Sequence, residues 1–148
     1  MNNSARKFLS KDPILKNILK KDLDLGFKVT KNFYAAIVRN IIGQQLSSRP
    51  AEIILKRFTD LFPKENFPNP KEVLEIPDEK LRVCGMSWAK VKYIKNLSQA
   101  VVNKEIDFVE IIKMPDEEVI EVLTKVKGIG RWTAEMILIF HLGREDVF

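Results

Sequence analysis

One stretch near the carboxyl end, residues 125–148, most constrains how this chain can fold. A helix is predicted over residues 116–124 and has ended by about Val126. A second helix is predicted to start near Arg131. Gly128-Ile129-Gly130 lies between them. Because glycine adopts backbone angles that other residues avoid, this spacing allows a very tight turn. The pattern predicts a helical hairpin at about residues 124–133.

This hairpin is a candidate site for an anion, and above all for a phosphate. With no side chains at Gly128 and Gly130, backbone N–H groups can approach a bound group closely. The start of the second helix adds N–H groups without helical partners and a partial positive charge. The two glycines by themselves leave an ordinary helix–turn–helix connection as the alternative.

Composition favours a globular chain with an anionic partner. The 148 residues are 45% hydrophobic and 30% charged, and the net charge of +5 favours nucleic acid as the partner. The single cysteine, Cys84, excludes an internal disulfide and a four-cysteine metal site within this chain. No apolar run is long enough to span a membrane, and no signal-peptide pattern is seen, so an intracellular protein is expected.

Apolar residues recur at spacings of three and four, which is typical of amphipathic helices. In the helix expected after Thr30, its predicted cap, the spacing is carried by Phe33, Tyr34, Ile37, Val38, Ile41 and Ile42. No segment alternates in the manner of a strand. The sequence therefore predicts an all-α fold of about eight to ten short helices.

A polar tip follows Gly43. Gln44-Gln45-Leu46-Ser47 combines two amides with one exposed leucine, and a plain interhelical loop is the simplest interpretation from these residues alone.

Several separated motifs together resemble the helix-hairpin-helix DNA glycosylases, and most of all the branch of 3-methyladenine DNA glycosylase II. They are Val-Lys-Gly-Ile-Gly-Arg-Trp-Thr-Ala at 126–134, Asp-Val-Phe at 146–148, Ile-Gly-Gln-Gln-Leu-Ser at 42–47, and a second turn over 81–90. The resemblance implies a single glycosylase domain over 1–148. It would have two helical lobes with the hairpin at the mouth of the cleft, and a second lobe that needs residues beyond this chain.

The resemblance also implies roles in binding double-stranded DNA. The loop would enter the minor groove, with Gln45 or Leu46 as the wedge that fills the gap left by a flipped nucleotide. Gln44 would contact the neighbouring bases. The hairpin would hold DNA phosphate through the backbone amides of Gly128, Gly130 and Thr133.

Trp132 and Met136 are the candidates for the base pocket. Relatives that also cut the strand carry a lysine nucleophile where this chain has Trp132, which implies a monofunctional enzyme that leaves an abasic site. An indole face suits an electron-poor alkylated purine. Packing within the protein is the alternative for both side chains.

No catalytic residue is assigned within this chain. The family carboxylate is an Asp expected just beyond Phe148, whereas Asp146 matches a structural position. His141 is expected to be an ordinary helix residue, while Lys90, Lys92 and Lys95 could add phosphate contacts. No metal ligand set is predicted, and the resemblance implies at most a monovalent cation at the hairpin carbonyls.

Two functions follow. The first is a base-excision enzyme for alkylated purines, or a fragment of one, that is DNA-associated in the cytoplasm, nucleoid or nucleus. The second is a non-catalytic module that grips the DNA backbone. A monomer is expected, although exposed Ile137, Leu138 and Phe140 could promote self-association of an incomplete lobe.

Overall fold

The computed structural model describes residues 3–19, 30–63 and 67–147, which form ten α-helices without any strand. The helices are α1 (Asn3–Leu9), α2 (Pro13–Leu19), α3 (Phe33–Gly43), α4 (Ser48–Asp60), α5 (Pro70–Glu75), α6 (Asp78–Val83), α7 (Trp88–Val102), α8 (Phe108–Ile111), α9 (Asp116–Thr124) and α10 (Arg131–Leu142). The prediction of an all-α fold is confirmed.

The core forms around α3 and α7. The apolar residues predicted for α3 are all buried there, as their three-to-four spacing requires. Helix α7 packs against α3, α5 and α6, and its Ser98 hydroxyl lies 2.7 Å from the Tyr34 hydroxyl of α3. Burial raises the pKa of Tyr34, so this buried bond joins two neutral hydroxyl groups. These contacts fix the end of α3 relative to the start of α7.

Side-chain caps set where several helices begin. Ser87 Oγ accepts the Lys90 N–H at 3.2 Å and caps α7 as predicted. The prediction that Thr30 caps α3 is wrong, because α3 begins only at Phe33 and Asn32 Oδ1 accepts the Ala35 N–H at 2.9 Å. The Thr30 N–H instead donates to the carbonyl of His141, which ties the start of this segment to α10.

Helix α10 contributes two core residues that were expected on the surface. Ile137 and Leu138 are only 1% and 0% exposed, because α10 packs against both α3 and α9. The prediction that they are exposed is therefore wrong, and self-association through them loses its basis. Phe140, in contrast, is 46% exposed.

Candidate nucleic-acid interface

A cleft of about 840 Å³ opens between the end of α3 and the starts of α7 and α10. Its lining includes the loop over residues 44–46 and, from the hairpin motif, Trp132 and Thr133 in the first turn of α10. The lining residues are Ala36, Arg39, Asn40, Gly43, Gln44, Gln45, Leu46, Ser87, Ala89, Lys90, Tyr93, Trp132, Thr133 and His141.

The hairpin between α9 and α10 turns as tightly as predicted. Gly128 has a φ of +109°, and the Ile129 N–H donates to Val126 O at 3.0 Å. A Cβ on Gly128 would overlap the ring of Tyr93 from α7. Gly128 is thus required both by its backbone angle and by the close approach of α7.

Gly130 differs, because it precedes α10 with an ordinary φ of −88° and no side chain caps the helix. No atom lies within 4 Å of the position that its Cβ would occupy. The first backbone bond of the helix joins the Ala134 N–H to Gly130 O at 3.1 Å. The three preceding N–H groups, from Arg131 to Thr133, therefore have no acceptor within the helix, and the space before them is open.

The loop over residues 44–46, here named the wedge loop, lines the cleft beside the hairpin. Gln45 adopts a left-handed φ of 58°, and both Gln45 and Leu46 are exposed. The Leu46 N–H donates to Gly43 O at 3.0 Å, which closes the turn after α3. Gln44 Nε2 lies 3.5 Å from Gly128 O, so the wedge loop touches the hairpin.

Two of the three lysines considered as phosphate contacts bind protein carbonyls. Lys90 Nζ donates to Ile42 O at 2.8 Å and to Gln44 O at 2.7 Å, and burial lowers its pKa. Lys95 Nζ makes a similar pair of bonds at the end of α5, to one carbonyl in its last turn and to another just after it. Lys92 is exposed.

Trp132 lies at the rim of the cleft with 66% of its surface exposed. Such exposure does not fit the alternative in which it packs against the core. The Thr133 side chain is buried and lines the cleft beside it. Met136 is partly buried but does not line the cleft.

Sequence reasoning missed the far wall of the cleft. His141 lines it, and its Nε2 lies 3.4 Å from Asn40 Nδ2 of α3. Burial lowers the pKa of His141, which favours the neutral imidazole. The sequence signal that could have identified His141 is its helical spacing. It follows Thr133 by two intervals of four residues, so both side chains lie on the same face of α10.

The cleft contains cationic side chains and no carboxylate among its lining residues. Arg39 lies at this wall, with its guanidinium 5.3 Å from the centre of the Phe67 ring. Outside the cleft, Arg131 is paired with Glu117 at 2.7 Å and with Glu135 at 2.9 Å, which braces the hairpin. Within the described ranges no cluster of three or more His, Cys, Asp or Glu side chains could hold a metal ion.

Residues 38–145 match the family of HhH-GPD superfamily base excision DNA repair proteins, and the chain belongs to this family. It is 40% identical to DNA-3-methyladenine glycosylase 1 of Schizosaccharomyces pombe, over 79% of this chain and 52% of that protein. It is 36% identical to a DNA-3-methyladenine glycosylase of Saccharomyces cerevisiae, over 99% of this chain and 54% of that protein. The chain thus spans about half the length of these curated relatives.

The structure is also similar to that of a solved relative. A 3-methyladenine DNA glycosylase of Schizosaccharomyces pombe, determined in complex with abasic DNA, superposes with a TM-score of 0.82 at 35% identity. The match covers 99% of this chain and 73% of that one. None of the helices within the described ranges has the length and apolarity needed to cross a membrane.

Proposed function

We propose that this chain forms the DNA-gripping and base-extruding part of a base-excision DNA glycosylase that acts on alkylated purines. One observation carries the proposal: a single cleft is lined by an exposed two-residue wedge, Gln45 and Leu46, and by Trp132 and Thr133 from the uncapped first turn of α10. The relatives named as 3-methyladenine glycosylases support it.

The two sides of the cleft suit the two requirements of base extrusion. A base stacked in a duplex is out of reach of an enzyme, so the nucleotide has to be turned out of the helix. The N–H groups before the first bond of α10 would hold a phosphate of the turned strand. Gln45 and Leu46 would enter the minor groove and replace the lost stacking.

Trp132 supports an alkylated purine as the extruded base. Its exposed indole is available for stacking on a cationic or electron-poor ring, an attraction of about 0.5–2 kcal/mol. An alkylated purine is already a good leaving group, so a strong acid is less necessary. Because the hairpin position of a strand-cutting lysine holds Trp132, the enzyme would hydrolyse the bond and leave an abasic site.

Hydrolysis builds positive charge on the sugar, and a nearby carboxylate would stabilise that charge and position water. None of the described residues that line the cleft is acidic. In the family that this chain resembles, this carboxylate belongs to an Asp that follows the segment equivalent to residues 146–148. A monovalent cation at the hairpin carbonyls remains a prediction. Among the hairpin carbonyls, that of Val126 accepts the Ile129 N–H. The Lys127 carbonyl lies 3.5 Å from the side-chain amide of Asn96, and the Gly128 carbonyl lies 3.5 Å from that of Gln44.

Base release from methylated duplex DNA tests the proposal. The chain of residues 1–148 is expected to bind this DNA without releasing 3-methyladenine or 7-methylguanine above a buffer control. A version extended through the family's Asp should release these bases, leave alkali-labile sites and form no adduct on borohydride treatment. Failure of the extended version to release bases would favour the alternative, a non-catalytic DNA-binding module. An adduct would contradict the monofunctional mechanism.

We further propose that the protein acts as a monomer on double-stranded DNA inside the cell. The net charge of +5 is consistent with this partner. Sedimentation with and without duplex DNA would reveal self-association.

A further inference from the structure

We propose that Lys90 is a positioning residue that holds the wedge loop in place, and that it does not contact DNA phosphate. This inference rests on the proposed function, since it assigns a role to a residue of the same cleft. Its basis is a two-point attachment from α7 to a part of the chain 46 and 48 residues earlier.

Lys90 binds at the carboxyl end of α3, where backbone carbonyls lack hydrogen-bond donors from the helix itself. The last carbonyls of a helix have no helical N–H partners, and they carry a partial negative charge that favours a cation. Lys90 Nζ donates to Ile42 O in the last turn of α3 and to Gln44 O, the first residue of the wedge loop. The ammonium thus joins the end of α3 to the loop that follows it.

The next two turns of α7 contact the hairpin. Tyr93 lies one helical turn after Lys90, and its ring occupies the space that a side chain at Gly128 would need. Asn96, a further turn along, has its Nδ2 3.5 Å from Lys127 O. Helix α7 therefore contacts the wedge loop at Lys90 and the hairpin at Tyr93 and Asn96, which fixes the separation of the two DNA-contacting elements.

The surroundings of Lys90 argue against a phosphate contact. Two of its three ammonium hydrogens are used by carbonyl oxygens, and the side chain is half-buried. None of the ion pairs found among the residues that the structure describes includes Lys90. Releasing Lys90 to reach a phosphate would leave the carbonyls of Ile42 and Gln44 without this donor.

Lys95 provides a matched control on the same helix. Its Nζ donates to Leu74 O at 3.0 Å and to Ile76 O at 2.5 Å, and it also pairs with Asp78 at 3.3 Å. This attachment holds the end of α5 and the start of the loop after it, and none of these residues lines the cleft. Lys95→Met should therefore cost stability without affecting the wedge loop.

Hydrogen exchange of the free protein tests the role of Lys90 without DNA. In Lys90→Met, the Leu46 amide, which is bonded to Gly43 O, should exchange about tenfold faster or more, because the loop opens locally. The Ile129 amide of the hairpin should be unaffected. Lys95→Met should leave the Leu46 amide unchanged. Lys90→Gln, too short to span both carbonyls, provides the same comparison if Lys90→Met does not fold.

Binding to duplex DNA supplies the second readout. The salt dependence of binding should be the same for Lys90→Met and the parent, while extrusion of a fluorescent base analogue falls. A salt slope lower by about one would identify a phosphate contact and overturn the proposal. Unchanged exchange of Leu46 in a folded Lys90 variant would overturn it as well. Absence of extrusion by the parent chain would contradict the proposed function, and the exchange result would still decide the role of Lys90.

Discussion

Gly128 and Gly130 lie two residues apart in the hairpin, yet the fold itself requires only the first to be glycine. Gly128 has a positive φ, and the ring of Tyr93 fills the space beside it. Gly130 has an ordinary φ and open space in place of a side chain. The Gly-x-Gly pattern therefore combines a structural constraint with an opening that a phosphate can use.

Substitutions at these glycines should separate stability from DNA binding. Gly128→Ala should lower the free energy of unfolding by about 1–3 kcal/mol or more, through backbone strain and the clash with Tyr93. Gly130→Ser should maintain or raise stability, because serine caps helices well and Ser87 occupies the matching position before α7. Its Oγ would occupy the amides offered to phosphate, so duplex affinity should fall about tenfold.

Thermal melts and fluorescence anisotropy with duplex DNA provide both measurements. Unchanged affinity of folded Gly130→Ser at low salt would show that the start of α10 does not hold phosphate.

The two tryptophans of the chain offer a matched comparison. Trp132 lines the cleft and Trp88, at the start of α7, does not, although both are well exposed. Trp132→Ala should change stability by less than about 0.5 kcal/mol. It should reduce the preference for alkylated over unmodified duplex by roughly 2- to 30-fold, the range that stacking on a cationic base provides. Trp88→Ala should retain the preference, and an equal loss in both variants would contradict the pocket role of Trp132.

At the scale of elements, α10 connects the hairpin to the far wall of the cleft. Its first turn supplies Trp132 and Thr133, and its last turn supplies His141, whose backbone carbonyl accepts the Thr30 N–H. The helix ends at Gly143 with a left-handed φ of 68°, as the C-terminal preference for glycine predicts. Movement of α10 would therefore change both ends of the site together.

The half-buried imidazole at the end of α10 should make stability depend on pH. Because the folded pKa of His141 lies below its unfolded value of about 6.5, the folded chain binds fewer protons within that window. Stability should therefore fall as the pH decreases through the unfolded pKa. In denaturant titrations His141→Gln should lose less stability between about pH 7 and pH 5 than the parent. Equal losses would show that His141 does not contribute.

Sequence patterns predicted local features of these elements well and distant contacts poorly. The spacing of Phe33 to Ile42 predicted a buried helix, because burial of one face follows directly from periodicity. The Thr30 cap was wrong, since several polar residues precede α3 and only the backbone path selects Asn32. The bond from Lys90 to Ile42 O could not be predicted, because it joins residues that only the packing of α7 on α3 brings together.

In the candidate site, too, local features were predicted and distant contacts were missed. The hairpin and the wedge loop were predicted from local sequence and resemblance, and the wedge loop lines one cleft together with Trp132 and Thr133, which follow the hairpin turn. Asn40 and His141 were missed, because their proximity depends on how α3 and α10 cross. The burial of Ile137 and Leu138 was likewise decided by neighbouring helices and not by their own segment.

At the scale of the whole molecule, three helices each contribute a different part of the cleft. Helix α3 carries the wedge loop at its carboxyl end, α10 presents uncapped amides at its amino end, and α7 contacts both. Arg39 lines the cleft and none of the lining residues is acidic, so the cleft should attract the phosphate backbone. One surface is therefore expected to hold DNA and to extrude a base.

Extrusion of a base by the chain of residues 1–148 is the most direct test of this account. A duplex with a fluorescent base analogue at the target position reports unstacking as increased fluorescence when protein is added. The parent chain should produce a clear increase in fluorescence. The double variant Gln45→Ala/Leu46→Ala should lose most of this increase, while its affinity for the duplex falls by a much smaller factor. Both side chains are exposed, so the double variant should remain folded. Equal fluorescence increases for the parent and the folded double variant would contradict the wedge, and no increase with the bound parent chain would contradict the account as a whole.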